Sequence, residues 1–289
     1  MKIAIAMGND PQFASEEDLL LKKVFASRDI ISEIVCWNDH KINWQDYQCI
    51  LIKSCWNYHR VLSSFLKWLH YLEALQVKVF NPRALVEWNA NKLYLRDLQQ
   101  QGISIIPTVW LTADSLQPTL YEILNREEWQ RAIVKPMISA SADGLWLTDL
   151  TSAIEEQPRL EEILRTGRGV MVQKFIEVIM VEGEWSLIFF AGVFSHAVLK
   201  KPASGDFRVQ EEYGGLAVVK QPPHELIRQA ENILACLKTD WIYARVDVIW
   251  VNDELTLVEL EMIEPFLYLS AKDDAAQRLV TVVLDNLRY

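Results

Sequence analysis

Strand and helix alternate through the first 80 residues, and that order constrains the fold more than any other feature of the chain. Residues 2–7 (KIAIAM) form an apolar run of strand length, and residues 16–25 carry Leu19, Leu20 and Val24 at helical spacing. Residues 30–36 and 49–53 read as further strands. Across residues 61–75, Val61, Leu62, Phe65, Leu69 and Leu72 recur at three or four residues, which marks an amphipathic helix. A strand–helix–strand order calls for a parallel sheet, and ligands of such sheets gather at the carboxyl ends of the strands.

Beyond Asn81 and Pro82 the texture changes. Residues 83–101 read as one helix ended by Gly102. Strands are expected at 132–135, 170–175, 184–191, 193–199, 242–251 and 255–262, with helices near 118–130, 153–165 and 225–238. The expected fold is an α/β N-terminal lobe in front of an α+β body. The chain has 289 residues, which suits two or three compact lobes. Its net charge of -10 argues against a nucleic-acid partner, because phosphate backbones are held by clustered lysine and arginine. No apolar run reaches the roughly 20 residues of a membrane helix. The opening seven residues are too short for the core of a signal peptide, so a cytosolic, reduced protein is expected. Cys36, Cys49, Cys55 and Cys236 show no paired spacing and read as free thiols.

Residues 242–262 carry the chemistry. On the first strand Tyr243, Arg245, Asp247 and Ile249 share a face. On the second, Leu257, Glu259 and Glu261 share one, with Val258, Leu260 and Met262 opposite. With a loop of Asn252, Asp253 and Glu254, Val251 pairs with Leu255 and Asp247 faces Glu259. Like charges directly opposite are destabilising, so three carboxylates on one hairpin face call for a cation. Oxygen-only ligands suit magnesium or manganese. The alternative is a solvated face on which Arg245, opposite Glu261, neutralises part of the charge. Magnesium held by few carboxylates completes its shell with water and substrate phosphate, which points to a nucleoside triphosphate. Neither a GxxxxGK[ST] loop nor a GxGxxG turn is present, so isolated lysines would have to hold the phosphates. Lys135 is the leading one. It ends the apolar strand AIVKP and precedes the small-residue loop 138–144 (ISASADG), although strand-end lysines are also common surface decoration.

These features, in this order, resemble the ATP-grasp superfamily over nearly the whole chain. They look most like its prokaryotic glutathione-synthetase-like and ribosomal-modification ligase branch. SCWNYH (54–59), WNANKLYL (88–95), GISIIPT (102–108), VKP (134–136), GEWSLIFFAGVFSHAVLKKP (183–202) and LVELEMIEP (257–265) resemble the group containing the cyclo-ligase of cycloserine biosynthesis. The resemblance implies a three-lobed ATP-grasp fold: an N-terminal substrate lobe over 1–82, a central lobe over 83–175 and a C-terminal lobe over 176–289. It also implies that Lys92, on the helix before GISIIPT, and Lys135 contact phosphates, that Gln173, Lys174, Phe175 and Ile176 read the adenine edge, and that Glu184 meets the ribose. Lys200 and Arg208 would stand near the transferred phosphate. Asp247, Glu259 and Glu261 would hold magnesium, with glutamate at 261 where the superfamily usually places asparagine. The loop 138–144 would close over the phosphates.

The implied reaction is ATP-dependent activation of a carboxylate or carbonyl group through an acyl-phosphate type intermediate, followed by C–N bond formation. The substrate would be a small amino-acid-like molecule, and a homodimer would be in keeping with the family. Asn57, Tyr58 and His59 follow the third strand and are candidates for substrate contact, as are Ser195 and His196. Against this, His59 could cap the following helix, Tyr58 could pack in the core, and Cys55 could be a core thiol. Two other functional readings share the same residues: a small-molecule kinase, and a nucleotide-binding sensor or scaffold with little turnover.

Overall fold

The computed structural model describes residues 1–8, 10–112, 118–203, 205–209 and 213–287. The chain opens with β1 (Lys2–Met7), α1 (Glu16–Ala26), β2 (Ile31–Cys36), β3 (Cys49–Ile52), α2 (Leu62–Ala74) and β4 (Lys78–Phe80). These strands form a parallel sheet in the order β2-β1-β3-β4, as the alternation requires. Helix α1 starts at a capping box in which Ser15 and Asp18 satisfy each other's main-chain donors.

The span 83–101 is not one helix. It divides into α3 (Arg83–Asn89) and α4 (Tyr94–Gln100), with Lys92 in the connection. Two main-chain donors turn away from helical partners there: Lys92 N–H bonds the Met137 carbonyl at 2.8 Å, and Leu93 N–H bonds the Asn91 side chain at 3.0 Å. Asparagine competes well for such local bonds, and two of them flank the break.

A second sheet follows, built from β5 (Thr108–Leu111), β6 (Arg131–Pro136), β7 (Trp146–Asp149) and β8 (Val170–Lys174), with α5 (Leu120–Arg126) and α6 (Ala153–Arg165) interspersed. Its order is β5-β8-β6-β7, antiparallel throughout. Leu120, Ile123, Leu160 and Leu164 pack on Val134 and Val172 as its core. After the short α7 (Ile179–Glu182) comes the third sheet, also antiparallel: β9 (Glu184–Phe190), β10 (Val193–Lys201), β11 (Leu216–Val219), β12 (Tyr243–Val251) and β13 (Glu254–Glu261), in the order β11-β10-β9-β12-β13. Helix α8 (His224–Ala235) lies between β11 and β12 in the chain, and α9 (Ala275–Asp285) closes it. The short strands β4, β5, β7 and β11, and helix α9, were not expected from the sequence.

Two features hold the third sheet against the first. Ile3, Ile5, Phe25 and Leu51 of the parallel sheet and α1 share a core with Ile188, Phe190 and Tyr243, and α9 supplies Leu279 and Val283 to it. Asn81 bridges the same boundary. Its amide donates to the Tyr243 and Met262 carbonyls at 2.9 Å each and accepts from Ile242 N–H at 2.8 Å. The outer edge of β13 is covered rather than open. Asn89 bonds both the Leu260 carbonyl and Met262 N–H, the Tyr94 hydroxyl accepts from Leu260 N–H, and the Ser104 carbonyl accepts from Leu257 N–H. Among the described residues no helix is long and apolar enough to cross a membrane. Cys55 is a buried core thiol donating to the Ala6 carbonyl at 3.3 Å.

Candidate active site

The β12–β13 hairpin places its carboxylates by a different route from the one expected. The turn holds two residues, Asn252 and Asp253, at φ +53° and +61°, so Val251 pairs with Glu254 instead of Leu255. Paired left-handed residues give the turn whose twist matches that of the flanking strands. A bulge then restores the register, because Asp247 faces Glu259 while the next residue, Val248, faces Leu257. Val258 is the extra residue. Leu257 therefore turns into the core with Leu260 and Met262, and Val258 reaches the cavity beside Glu259 and Glu261. The Asp247–Glu259 and Arg245–Glu261 pairings stand as expected.

A cavity of about 400 Å³ opens in front of this hairpin, with walls drawn from all three sheets and their loops. Lys92, Lys135, Gln173, Lys174, Phe175, Ile176, Glu184, Lys200, Arg208, Asp247, Glu259 and Glu261 all line it, as does Tyr58. Each hairpin carboxylate meets a cation. Asp247 accepts from Arg245 at 2.9 Å, from Lys200 at 3.2 Å and from the Ser186 hydroxyl at 2.6 Å. Glu259 pairs with Lys92 at 2.7 Å, Glu261 pairs with Arg245, and Glu184 pairs with Lys200 at 2.5 Å. Among the described residues no three acidic, histidine or cysteine side chains are grouped as a ready metal cage.

Charge in the cavity is nonetheless unevenly matched. Burial opposes ionisation of Asp247, but Arg245 and Lys200 outweigh it and hold the carboxyl at about 2. Lys92 and Lys135 likewise overcome burial to lower Glu259. Glu261 goes the other way. Burial, with repulsion from Asp247 and Glu259, pushes it up to about 7 despite Arg245. Burial, then the Glu261 charge, raises Glu264 to about 8. Lys135 is the reverse case: it is buried, no hydrogen bond or ion pair engages its ammonium among the described residues, and burial lowers it to about 8. Lys200 is raised because Asp247 and Glu184 outweigh its burial.

The remaining predicted residues divide. Arg208 faces the cavity but pairs with Asp206 at 2.7 Å and lies 3.6 Å above the Tyr213 ring. Gln173 is buried and donates to the Thr108 hydroxyl at 3.0 Å, and the Phe175 ring carries Arg131 at 4.4 Å. His59 is not at the wall; its Nε2 meets Asp143 of the small-residue loop at 2.9 Å. Asn57 bonds Trp37 Nε1 at 3.2 Å and the Gly8 carbonyl at 2.5 Å, and so organises the first sheet's loops. Ser195 and His196 do not line the cavity, in contrast to expectation. His196 is buried between the Ser195 hydroxyl and the Leu267 carbonyl, each at 2.9 Å, and Lys272 and Arg278 hold the Ser195 carbonyl and hydroxyl. On strand β10 they lie at the end remote from Lys200, which explains the miss. Trp56, Glu264, Phe266 and Tyr268 line the cavity without having been singled out. The run LVELEMIEP contains Glu264, but past the end of β13 no strand period assigns it a face.

Known proteins resemble this chain in sequence and fold. Residues 3–81 match the family described as D-cycloserine synthetase DcsG, N-terminal domain. The cycloserine biosynthesis protein DcsG of Streptomyces lavendulae is 26% identical over 274 residues, covering 90% of each chain. The crystal structure of D-cycloserine synthetase DcsG superposes with a TM-score of 0.87 at 22% identity, covering 99% of this chain and 100% of the other. D-alanine–D-alanine ligase from Bacillus anthracis, complexed with ATP, gives 0.72 at 17% identity over 100% and 97% of the two chains. A RimK domain ATP-grasp protein from Sphaerobacter thermophilus gives 0.70 at 18% over 98% and 100%. The chain has the ATP-grasp fold, and its sequence is similar along nearly its whole length to that of DcsG.

Proposed function

We propose that the chain is an ATP- and magnesium-dependent ligase that activates a carboxylate or carbonyl group and forms a C–N bond on a small amino-acid-like substrate. The observation that carries this reading is the single cavity in which Lys92, Lys135, Lys200 and Arg208 face the carboxylates of the β12–β13 hairpin. Opposite charges gathered in one partly buried space suit a polyphosphate bound together with a divalent cation. Similarity to DcsG and to D-alanine–D-alanine ligase supports both the reaction type and the amino-acid-like substrate.

The donor set fits magnesium. Asp247, Glu259 and Glu261 supply only oxygen, and Glu261, raised by burial and then by repulsion from Asp247 and Glu259, is a carboxyl whose ionised form a bound cation would favour. These three carboxylates would hold the ion, which when bound neutralises charge on the transferred phosphate. Lys135 and Lys92 would grip phosphate oxygens, and Lys92 would exchange its Glu259 contact for them. Gln173 to Ile176 would meet the adenine and Glu184 the ribose. Lys200 and Arg208 would stabilise the γ-phosphate as it passes to a substrate oxygen, with ADP leaving. An amine of the substrate would then attack the activated carbon, lose a proton and expel phosphate. Catalysis on this reading is positioning and charge neutralisation, with no covalent protein nucleophile.

Titration with a non-hydrolysable ATP analogue, with and without magnesium, is the first test. Magnesium-dependent binding is expected, followed by ADP release with an amino-acid-like carboxylate and appearance of an amide or ring product. A stable phosphoester would make the protein a kinase. Absence of nucleotide binding under both conditions would leave the ligase reading without support.

A further inference from the structure

Buried acids among the described residues are held by partners from other residues, with one exception. Among the described residues, Glu17 bonds Lys53 and two main-chain N–H groups, Asp18 bonds Ser15 and Ser54, and Glu184 and Asp247 pair with Lys200. Glu264, 8% exposed, lines the cavity with no ion pair or hydrogen bond from its carboxyl to another residue among the described residues. Its main chain is pinned instead, because the Trp56 indole donates to the Glu264 carbonyl at 3.3 Å. Apart from its own main-chain N–H, the carboxyl has no partner among the described residues, and so sparsely partnered a group at a cavity wall is suited to a ligand that completes it.

The surroundings indicate which kind. Trp56, Tyr58, Phe266 and Tyr268 line the same cavity, with the Phe266 and Tyr268 rings 5.0 Å apart edge to face. Aromatic faces offer nothing to a small inorganic cation that demands oxygen ligands, but they attract organic ammonium groups. The cations that act on Glu264, Lys92 and Arg245, are themselves paired: Lys92 with Glu259 and the Ser139 carbonyl, Arg245 with Asp247 and Glu261.

The geometry points to Glu264 as the subsite for a charged amine: the ammonium of an amino-acid-like substrate docks on its carboxylate, enclosed by the neighbouring aromatic rings. This rests on the ligase reading only for the kind of molecule that enters, since an amine can be titrated without nucleotide. A docked ammonium also places a positive charge beside Glu264 and so opposes the burial, and the Glu261 charge, that raise its pKa.

Calorimetric titration of the full chain with D-alanine, L-alanine, D-serine and L-serine, and with propionate and glycerate as amine-free counterparts, tests the assignment. At least one amino acid binds, and its amine-free counterpart binds roughly tenfold weaker or less. Glu264→Gln weakens the amino acid by roughly ten- to a hundredfold, as expected for losing a hydrogen bond to a charged group, and Glu264→Asp restores much of it. The magnesium–ATP-analogue affinity of both variants, close to that of the parent protein, shows that the fold is intact. The assignment is overturned if no amino acid binds the parent protein, if amine-bearing and amine-free acids bind alike, or if Glu264→Gln leaves amino-acid affinity unchanged. Weakened magnesium binding with unaltered amino-acid binding would likewise overturn it, by making Glu264 a metal carboxylate. Amine binding without nucleotide binding would remove the ligase reading and leave this assignment standing.

Discussion

Lys135 carries the clearest consequence of burial for a single residue. Its folded pKa of about 8 lies below the ordinary lysine value of 10.5, so between these two values the unfolded chain binds more protons than the folded one. Stability contributed by this residue is therefore lowest below pH 8 and recovers as pH rises toward 10.5. A bound polyphosphate reverses the shift, because the neighbouring negative charge favours the ammonium. Nucleotide binding near pH 8.5 is expected to take up a proton, measurable as a dependence of the calorimetric heat on buffer ionisation enthalpy. Lys135→Met should abolish that uptake and weaken binding by roughly tenfold or more. Uptake that persists in the variant would assign the proton elsewhere. At the hairpin, Glu259→Gln should stop turnover while leaving the far-ultraviolet spectrum unchanged, and full activity in that variant would remove Glu259 from the metal set.

At the scale of elements, the hairpin and the α3–α4 break do most to shape the site. The two-residue turn shortens the loop by one residue and the bulge at Val258 adds one back, so the carboxylates keep their pairing while Leu257 and Val258 exchange faces. The break between α3 and α4 puts Lys92 at the cavity, where its ammonium reaches Glu259 and the Ser139 carbonyl. Beyond one main-chain bridge between Ile105 and Leu257, strand β13 is kept from slipping by side chains rather than by a further strand. Asn89→Ala would leave the Leu260 carbonyl and Met262 N–H buried and unpaired, and should cost about 2–4 kcal/mol in chemical denaturation. A loss below about 0.5 kcal/mol, the range of ordinary surface changes, would mean that the edge is held by other contacts.

For the molecule as a whole, the cavity exists because three sheets meet around it. The loop 138–144 is tied to the first sheet's side through Asp143, which His59 and then burial act upon in opposite senses, the histidine winning and lowering its pKa. Arg60 adds a longer contact at 3.4 Å. Since the loop carries Ser139, Ala140, Ser141 and Ala142 into the cavity wall, Asp143→Ala should raise the KM for ATP, by roughly two- to fivefold given the modest strength of a partly exposed pair. Thermal stability should hardly change. An unaltered KM would show that the loop closes without this contact.

The sequence by itself determined the elements with strong periods. The parallel N-terminal sheet and the long strands at 184–190, 243–251 and 254–261 follow from apolar alternation, whereas the opposition of Asp247 and Glu259, expected from a three-residue loop, is produced by a two-residue turn and a bulge. Order and spacing of short motifs were enough to reach the ATP-grasp fold. Only the tertiary structure decided the rest. Strands of three or four residues such as β4 and β11 have too few positions to show a period, and exist because a neighbouring strand offers its edge. Ser195 and His196 share strand β10 with Lys200, yet only Lys200 reaches the cavity, because strand length sets them at opposite ends. Glu264 and its aromatic neighbours lie in irregular chain, where no period assigns a face and burial depends on what the rest of the molecule packs around it.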